Sequence, residues 1–152
     1  MALSLLAAFV TGESGSGSLR DVSAPRLPEP VERALAFIAS QLDTEPGAPL
    51  PLSDIAASAF VTPEHLCRLF KTATGTSPSE TVRLARLDRA VTLLCRSNFT
   101  VAEIATLCGF ASPFHFSRRF KHTFGKSPRA LREAVASGEI AAPASRRFPS
   151  GP

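Results

Sequence analysis

The chain has 152 residues, enough for one good core or two small ones sharing a support. Its net charge of +4 hides an asymmetry: residues 60–132 carry 12 Lys+Arg against 4 Asp+Glu, a net of +8, and the remainder is net −4. A basic block on an otherwise acidic chain points to a polyanionic partner, and no segment reaches the length of a membrane span.

The three cysteines, Cys67, Cys95 and Cys108, form no CxxC pair and no zinc spacing. Scattered thiols in odd number fit a reducing compartment, with Cys95 and Cys108 serving as small buried hydrophobes. The apolar start, Met1 to Val10, lacks the basic flank and cleavage site of a signal peptide. These features predict a soluble, cytoplasmic protein with no membrane partner, no metal and no cofactor.

Residues 1–30 read as a flexible N-terminal segment or linker: an apolar piece, a Gly/Ser-rich run from Thr11 to Ser18, then prolines up to Pro30. Val31, Leu35, Ile38 and Leu42 have the spacing of an amphipathic helix of about three turns. Pro46, Gly47, Pro49 and Pro51 break it. A short helix follows from Leu52 to Ala59, with Leu52, Ile55, Ala56 and Ala59 on its apolar face.

Thr62-Pro63, Ser77-Pro78, Ser112-Pro113 and Ser127-Pro128 then repeat one punctuation. Each places an N-cap hydroxyl before a proline at the first helical position, where the missing N–H is harmless. Gly75 and Gly125 stand where a helix ends in a left-handed residue. This predicts helices over 63–74, 78–96, 113–124 and 128–135. Thr100-x-x-Glu103 is a capping box that opens another short helix. No β pattern emerges, so the chain reads as all-α, and residues 136–152 read as a disordered tail.

Two of these helices are copies. Pro63, His65, Arg68, Phe70, Lys71, Gly75, Ser77 and Pro78 recur fifty positions later as Pro113, His115, Arg118, Phe120, Lys121, Gly125, Ser127 and Pro128. Chance gives roughly one identity in such a window, so this is an internal repeat. Each copy is a short helix, a tight turn and a longer helix with a cationic outer face, which is the helix-turn-helix arrangement. The first spans about 52–75, the second about 101–125, and the 78–96 helix links them. Cys108-Gly109-Phe110-Ala111 forms the second turn. Ala59-Phe60-Val61 is one residue shorter and lacks the glycine, so Phe60 has to adopt a conformation that glycine accepts more easily.

The major groove, about 12 Å wide, admits one α-helix. Arg68 and Arg118 are the best base readers, because arginine bridges guanine O6 and N7. Glu64 and Phe114 lie one turn earlier, placed for a cytosine amino group or a thymine methyl. His65 and His115 can donate to bases or phosphates. Lys71, Arg119, Lys121 and Lys126 look like phosphate contacts, and the helix starts at Ser77 and Ser127 add backbone N–H groups to phosphate. A linker helix of 19 residues is roughly 28 Å long, and adjacent major-groove segments on one face lie about 34 Å apart. A monomer can therefore read two segments one turn apart, with some bending of the DNA.

The second half resembles the C-terminal DNA-binding domain of AraC/XylS-type transcription regulators. The resemblance rests on Ile104, Ala105, Gly109, Phe110, Ser112, Phe116, Arg118, Phe120, Lys121, Gly125, Pro128 and Arg132 in register. Upstream, Arg86, Leu87, Ala90, Leu93 and Leu94 resemble the family's linker helix. Leu66, Arg68, Leu69, Phe70 and Lys71 resemble its first reading helix. The resemblance covers about 31–135 and implies a homeodomain-like domain of about seven helices with two helix-turn-helix units. It also implies bacterial origin, promoter DNA and RNA polymerase as partners, and transcription activation. By it, the base-reading positions are Pro63, Glu64, Cys67 and Arg68, then Pro113, Phe114, His115 and Arg118. Cys67 has a short side chain for such a role; beside Arg68 and His65 it is also a candidate redox-sensing thiol.

Regulators of this type carry a sensor domain for effector and dimerisation. Residues 1–30 are too short to form one, so either such a domain lies upstream of Met1 and dimerises the protein, or the chain works alone and is controlled by its abundance. An enzyme is not expected, since His65, His115 and His122 have no carboxylate at a catalytic spacing and no phosphate loop follows a strand.

Overall fold

The computed structural model describes residues 26–139, and the flexible start and loose tail expected from sequence lie outside them up to residue 25 and from residue 140. The described residues are all-α, with seven helices and no strand. They are α1 (Glu29–Thr44), α2 (Leu52–Ser58), α3 (Pro63–Thr74), α4 (Pro78–Arg96), α5 (Val101–Leu107), α6 (Pro113–Phe124) and α7 (Pro128–Ala136).

Local chemistry explains most of the helix ends. The hydroxyls of Thr62, Ser112 and Ser127 each accept the N–H three residues on, at 3.3, 3.1 and 3.2 Å. Ser77 accepts the Glu80 N–H at 3.2 Å in the same way. Thr100 and Glu103 close a reciprocal capping box at the start of α5, and the two hydrogen bonds from Thr100 hold the Glu103 carboxyl below the usual carboxylate range. Gly75 and Gly125 end α3 and α6 in the left-handed region, at φ 77° and 75°. One end differs from expectation. α1 runs over 16 residues rather than three turns, because Glu29 and Glu32 favour its first turn and Pro30 fits there without losing a hydrogen bond.

The described residues fall into two compact units, residues 26–45 with 49–84, and residues 46–48 with 85–139. In the first, α1 buries Val31, Ala34 and Ile38 against Ile55, Ala56 and Ala59 from α2 and its cap, and Leu66 and Phe70 from α3. Val82 closes this core from the start of α4. In the second, Leu87, Ala90 and Leu94 of α4 meet Ile104, Ala105 and Cys108, with Phe116 and Phe120 of α6 fully buried. Burying each such phenylalanine is worth about 1.5–3 kcal/mol. Phe110, Phe116, Phe120 and Phe124 form a tilted ladder with successive centroids 5.1, 5.5 and 4.6 Å apart. These geometries suit the quadrupoles of aromatic rings.

Each unit thus holds a short helix, a turn and a longer helix: α2 with α3, and α5 with α6. In each, the core-facing residues of the longer helix are spaced four apart, Leu66 with Phe70 and Phe116 with Phe120. That spacing leaves the opposite face of the helix free.

Candidate nucleic-acid interface

The free faces of α3 and α6 match position for position. On α3, Glu64, Arg68, Lys71 and Thr72 are exposed at i, i+4, i+7 and i+8, with His65 beside them. On α6, Phe114, Arg118, Lys121 and His122 occupy the same places, with His115 beside them. Both stripes begin at the helix N-terminus, the end that first meets base edges when a helix enters the groove. Thr72 and His122 were not singled out by sequence reasoning; the i+8 spacing from Glu64 and Phe114 is the signal that reaches them.

The remaining expected base readers sit less favourably. Pro63 and Cys67 are half-buried, and Pro113 is exposed but offers only its ring. Arg68 Nη2 lies 3.4 Å from His65 Nδ1, while His115 takes the next arginine instead, with Arg119 Nε donating to its Nε2 at 3.5 Å. Arg118 is therefore left exposed with no side-chain partner among the described residues. Arg119, half-buried, is held towards His115.

Among the expected phosphate contacts, Lys71 and Lys121 are exposed and unpaired by carboxylates among the described residues. Lys121, Lys126 and Ser127 line one open groove, which the carboxylates Glu133 and Glu139 also line. Lys126 also lies 4.0 Å from Glu139 in an exposed ion pair, which contributes little. The oxygens of Ser77 and Ser127 serve as caps, accepting the backbone N–H groups of Glu80 and Ala130.

Much of the basic block is engaged within the fold. Arg83 pairs with Glu80, and Arg129 pairs with Glu133 at 3.0 Å. Arg132 donates to the carbonyls of Leu94 at 3.2 Å and Phe99 at 2.5 Å, tying α7 to the end of α4 and the loop after it. Arg86 donates to the carbonyl of Ala48. Burial pulls its guanidinium below the usual value, while nearby Cys108 acts in the opposite sense. Arg68, Lys71, Arg118 and Lys121, on α3 and α6, are exposed and make no ion pair among the described residues.

The turns that aim these two helices share a backbone. Phe60 N–H and Val61 N–H bond to Ala57 and Ala56 carbonyls; Gly109 and Phe110 do the same to Thr106 and Ala105. That is the two-bond helix ending with a left-handed residue. Phe60 has φ 58° and Gly109 φ 73°, so the conformation expected of Phe60 is present. Phe60 is 80% exposed, and the Arg33 guanidinium carbon lies 5.1 Å from its ring centroid, a cation–π contact. Gly109 is enclosed. A Cβ there would lie 2.8 Å from the Gly47 carbonyl oxygen and 3.1 Å from the Arg86 guanidinium. Beneath it Cys108 is fully buried, and burial pushes its thiol up to about 11 against the opposing pull of Arg89 and Arg86. Burial also raises the Cys95 thiol.

Among the described residues no helix is long and apolar enough to cross a membrane, and no cluster of three or more His, Cys, Asp or Glu side chains is placed to hold a metal.

Comparison with known proteins agrees with this geometry. Residues 55–134 match the family model of a helix-turn-helix domain. The chain is 39% identical over 104 residues to the HTH-type transcriptional regulator GlxA of Rhizobium meliloti, an alignment covering 68% of this chain and 32% of that protein. It thus spans about a third of that relative's length. A crystal structure of a transcriptional regulator with an AraC-type DNA-binding domain from Chromobacterium violaceum superposes with TM-score 0.63 at 33% identity, covering 70% of this chain and 92% of that one. The DNA-binding domain of the global transcriptional factor AdpA, solved in complex with a target DNA, superposes with TM-score 0.63 at 27% identity, covering 73% and 96%. With paired stripes on α3 and α6 and a family match over more than half its length, the chain belongs to the AraC-type helix-turn-helix family of DNA-binding transcription regulators.

Proposed function

We propose that this chain is a sequence-specific, promoter-binding transcription regulator that inserts α3 and α6 into successive major-groove segments of double-stranded DNA. The observation that carries the reading is the matched pair of exposed stripes, with Arg68 and Arg118 at equivalent places and, among the described residues, no carboxylate holding either. Arg68 and Arg118 read guanine O6 and N7, while the other expected readers, Pro63, Glu64, Cys67, Pro113, Phe114 and His115, line the approach. Lys71, Arg119, Lys121 and Lys126, with the helix starts at Ser77 and Ser127, hold phosphates and set register.

The chain works in the bacterial cytoplasm, without enzymatic activity, and activates transcription through contact with RNA polymerase. Family membership supports this part of the reading.

Selection of bound duplexes from a random pool tests the proposal. Two short elements about one helical turn apart are expected. A single element leaves one of the helices undocked and contradicts it. Salt dependence checks the phosphate assignment. Each neutralised phosphate contributes about −0.9 to the slope of log affinity against log salt, so Lys121→Ala should weaken binding to all sequences and flatten that slope by about 1. A loss confined to one sequence contradicts a phosphate role for Lys121.

A further inference from the structure

Fifty positions apart, the two stripes carry one difference in chemistry at their leading end: Glu64 on α3 and Phe114 on α6. Both are the second residue of a helix that begins with proline, and both are exposed, Phe114 at 76%. No hydrogen bond or ion pair holds Glu64 among the described residues. Resting on the DNA-reading role above, we propose that the two helices demand different bases beside a shared guanine. α3 selects cytosine through Glu64, and α6 selects thymine through Phe114.

At the floor of the groove the two side chains have opposite requirements. A carboxylate is an acceptor only, so it needs a donor. In the major groove, donors are the N4 amino group of cytosine and the N6 amino group of adenine. Adenine places the N7 acceptor beside its amino group, which repels a carboxylate; the neighbour on cytosine is a C–H. Guanine and thymine offer acceptors at that place and repel it as well. A negative charge on a face turned towards phosphates also lowers affinity for every sequence. Glu64 therefore works as a rejecting element, trading general affinity for discrimination.

Phe114 has the opposite character. Its ring is exposed on a helix whose other phenylalanines are buried or half-buried, so the core has no hold on it. The apolar group that the major groove offers is the thymine methyl. Covering that methyl removes apolar surface of both partners from water and rejects the polar edges of cytosine and adenine.

Residues three or four apart on a reading helix meet neighbouring base pairs. Glu64 and Arg68 thus specify cytosine next to guanine in one element, and Phe114 and Arg118 specify thymine next to guanine in the other.

The test uses the duplex selected by the whole chain, with every base substituted in turn at the position beside each arginine-dependent guanine. Affinities of the wild type and of four variants are read by competition. Glu64→Gln should move the first element's preference from cytosine to adenine, since an amide pairs with adenine N6 and N7, and should strengthen binding to random-sequence DNA. Glu64→Phe should move it to thymine, and Phe114→Glu should move the second element's preference to cytosine, each by about tenfold in relative affinity. Replacing thymine by uracil removes only the methyl. It should weaken wild-type binding severalfold at the second element and leave a Phe114→Ala variant unaffected.

Retained base preferences in all the variants, together with an indifferent uracil substitution, overturn the proposal. If Arg68→Ala and Arg118→Ala still change the selected guanines in that case, DNA reading stands and only the asymmetry falls. If they change nothing, the underlying reading falls with it.

Discussion

The two helix-turn-helix units solve the same backbone problem with different chemistry. After α3, the junction into α4 is held by hydroxyls: Thr76 Oγ1 lies 3.1 Å from that of Thr74 and 3.2 Å from that of the buried Thr81. Fifty positions on, those three places are Phe124, Lys126 and Leu131, and Phe124 and Leu131 pack against the apolar core of the second unit. The turns differ too. Phe60 accepts a left-handed conformation in open solvent, whereas the equivalent Gly109 lies against the Gly47 carbonyl. The lesson is that φ alone does not demand glycine; close approach of another backbone does. Gly75 and Gly125 lie between these cases, with a positive φ and nothing within 4 Å of an added Cβ.

Placing the same side chain in both turns separates left-handed strain from close backbone approach. Gly109→Ala should cost about 2–4 kcal/mol, from the left-handed strain and the clash with backbone. Phe60→Ala should cost no more than about 1 kcal/mol, the worth of its cation–π contact. Urea unfolding measures both. Equal effects would remove close approach as the reason for glycine at 109.

Alkali separates the units next. The place of the buried Cys108 is taken by Ala59 in the first turn, so only the second unit carries a thiol there. Because the folded-state value is raised from 9.0 to about 11, the fold favours the protonated thiol. Its contribution is intact below pH 9 and is lost as pH rises towards 11, by about 2–3 kcal/mol. Cys108→Ala should flatten stability over that window while the wild type declines. A parallel decline in both would assign the alkaline loss to other groups.

Smaller again is the hydroxyl junction. Thr81→Val leaves the Thr76 hydroxyl without one partner and should cost about 1 kcal/mol, read as a lower unfolding midpoint. No change would mean that the threonine chain adds nothing over apolar packing.

Most of the all-α fold was legible because its signals are local. Thr62, Ser112, Ser127 and the Thr100–Glu103 pair each mark a helix start within three residues, and Gly75 and Gly125 mark ends. Burial of Phe116 and Phe120 followed from helical spacing. What escaped were contacts between distant positions. Nothing near Arg86 in the chain announces the Ala48 carbonyl, and nothing near Arg132 announces those of Leu94 and Phe99. Both arginines inflated the basic block as read from sequence. The stripes on α3 and α6 were legible as far as Glu64, Phe114, His65, His115 and their arginines and lysines. Thr72 and His122 fell outside that reading, because only their i+8 spacing, and not their residue type, marks them as part of the stripes.

Methylation interference at guanine N7 shows whether one chain reads DNA at two places. On the selected duplex, wild-type protein should show interference at one guanine in each of two elements about a helical turn apart. Arg68→Ala should abolish it in one element and Arg118→Ala in the other, each weakening binding by about 1–3 kcal/mol. Loss of the same guanine with both variants, or of neither, would contradict the account.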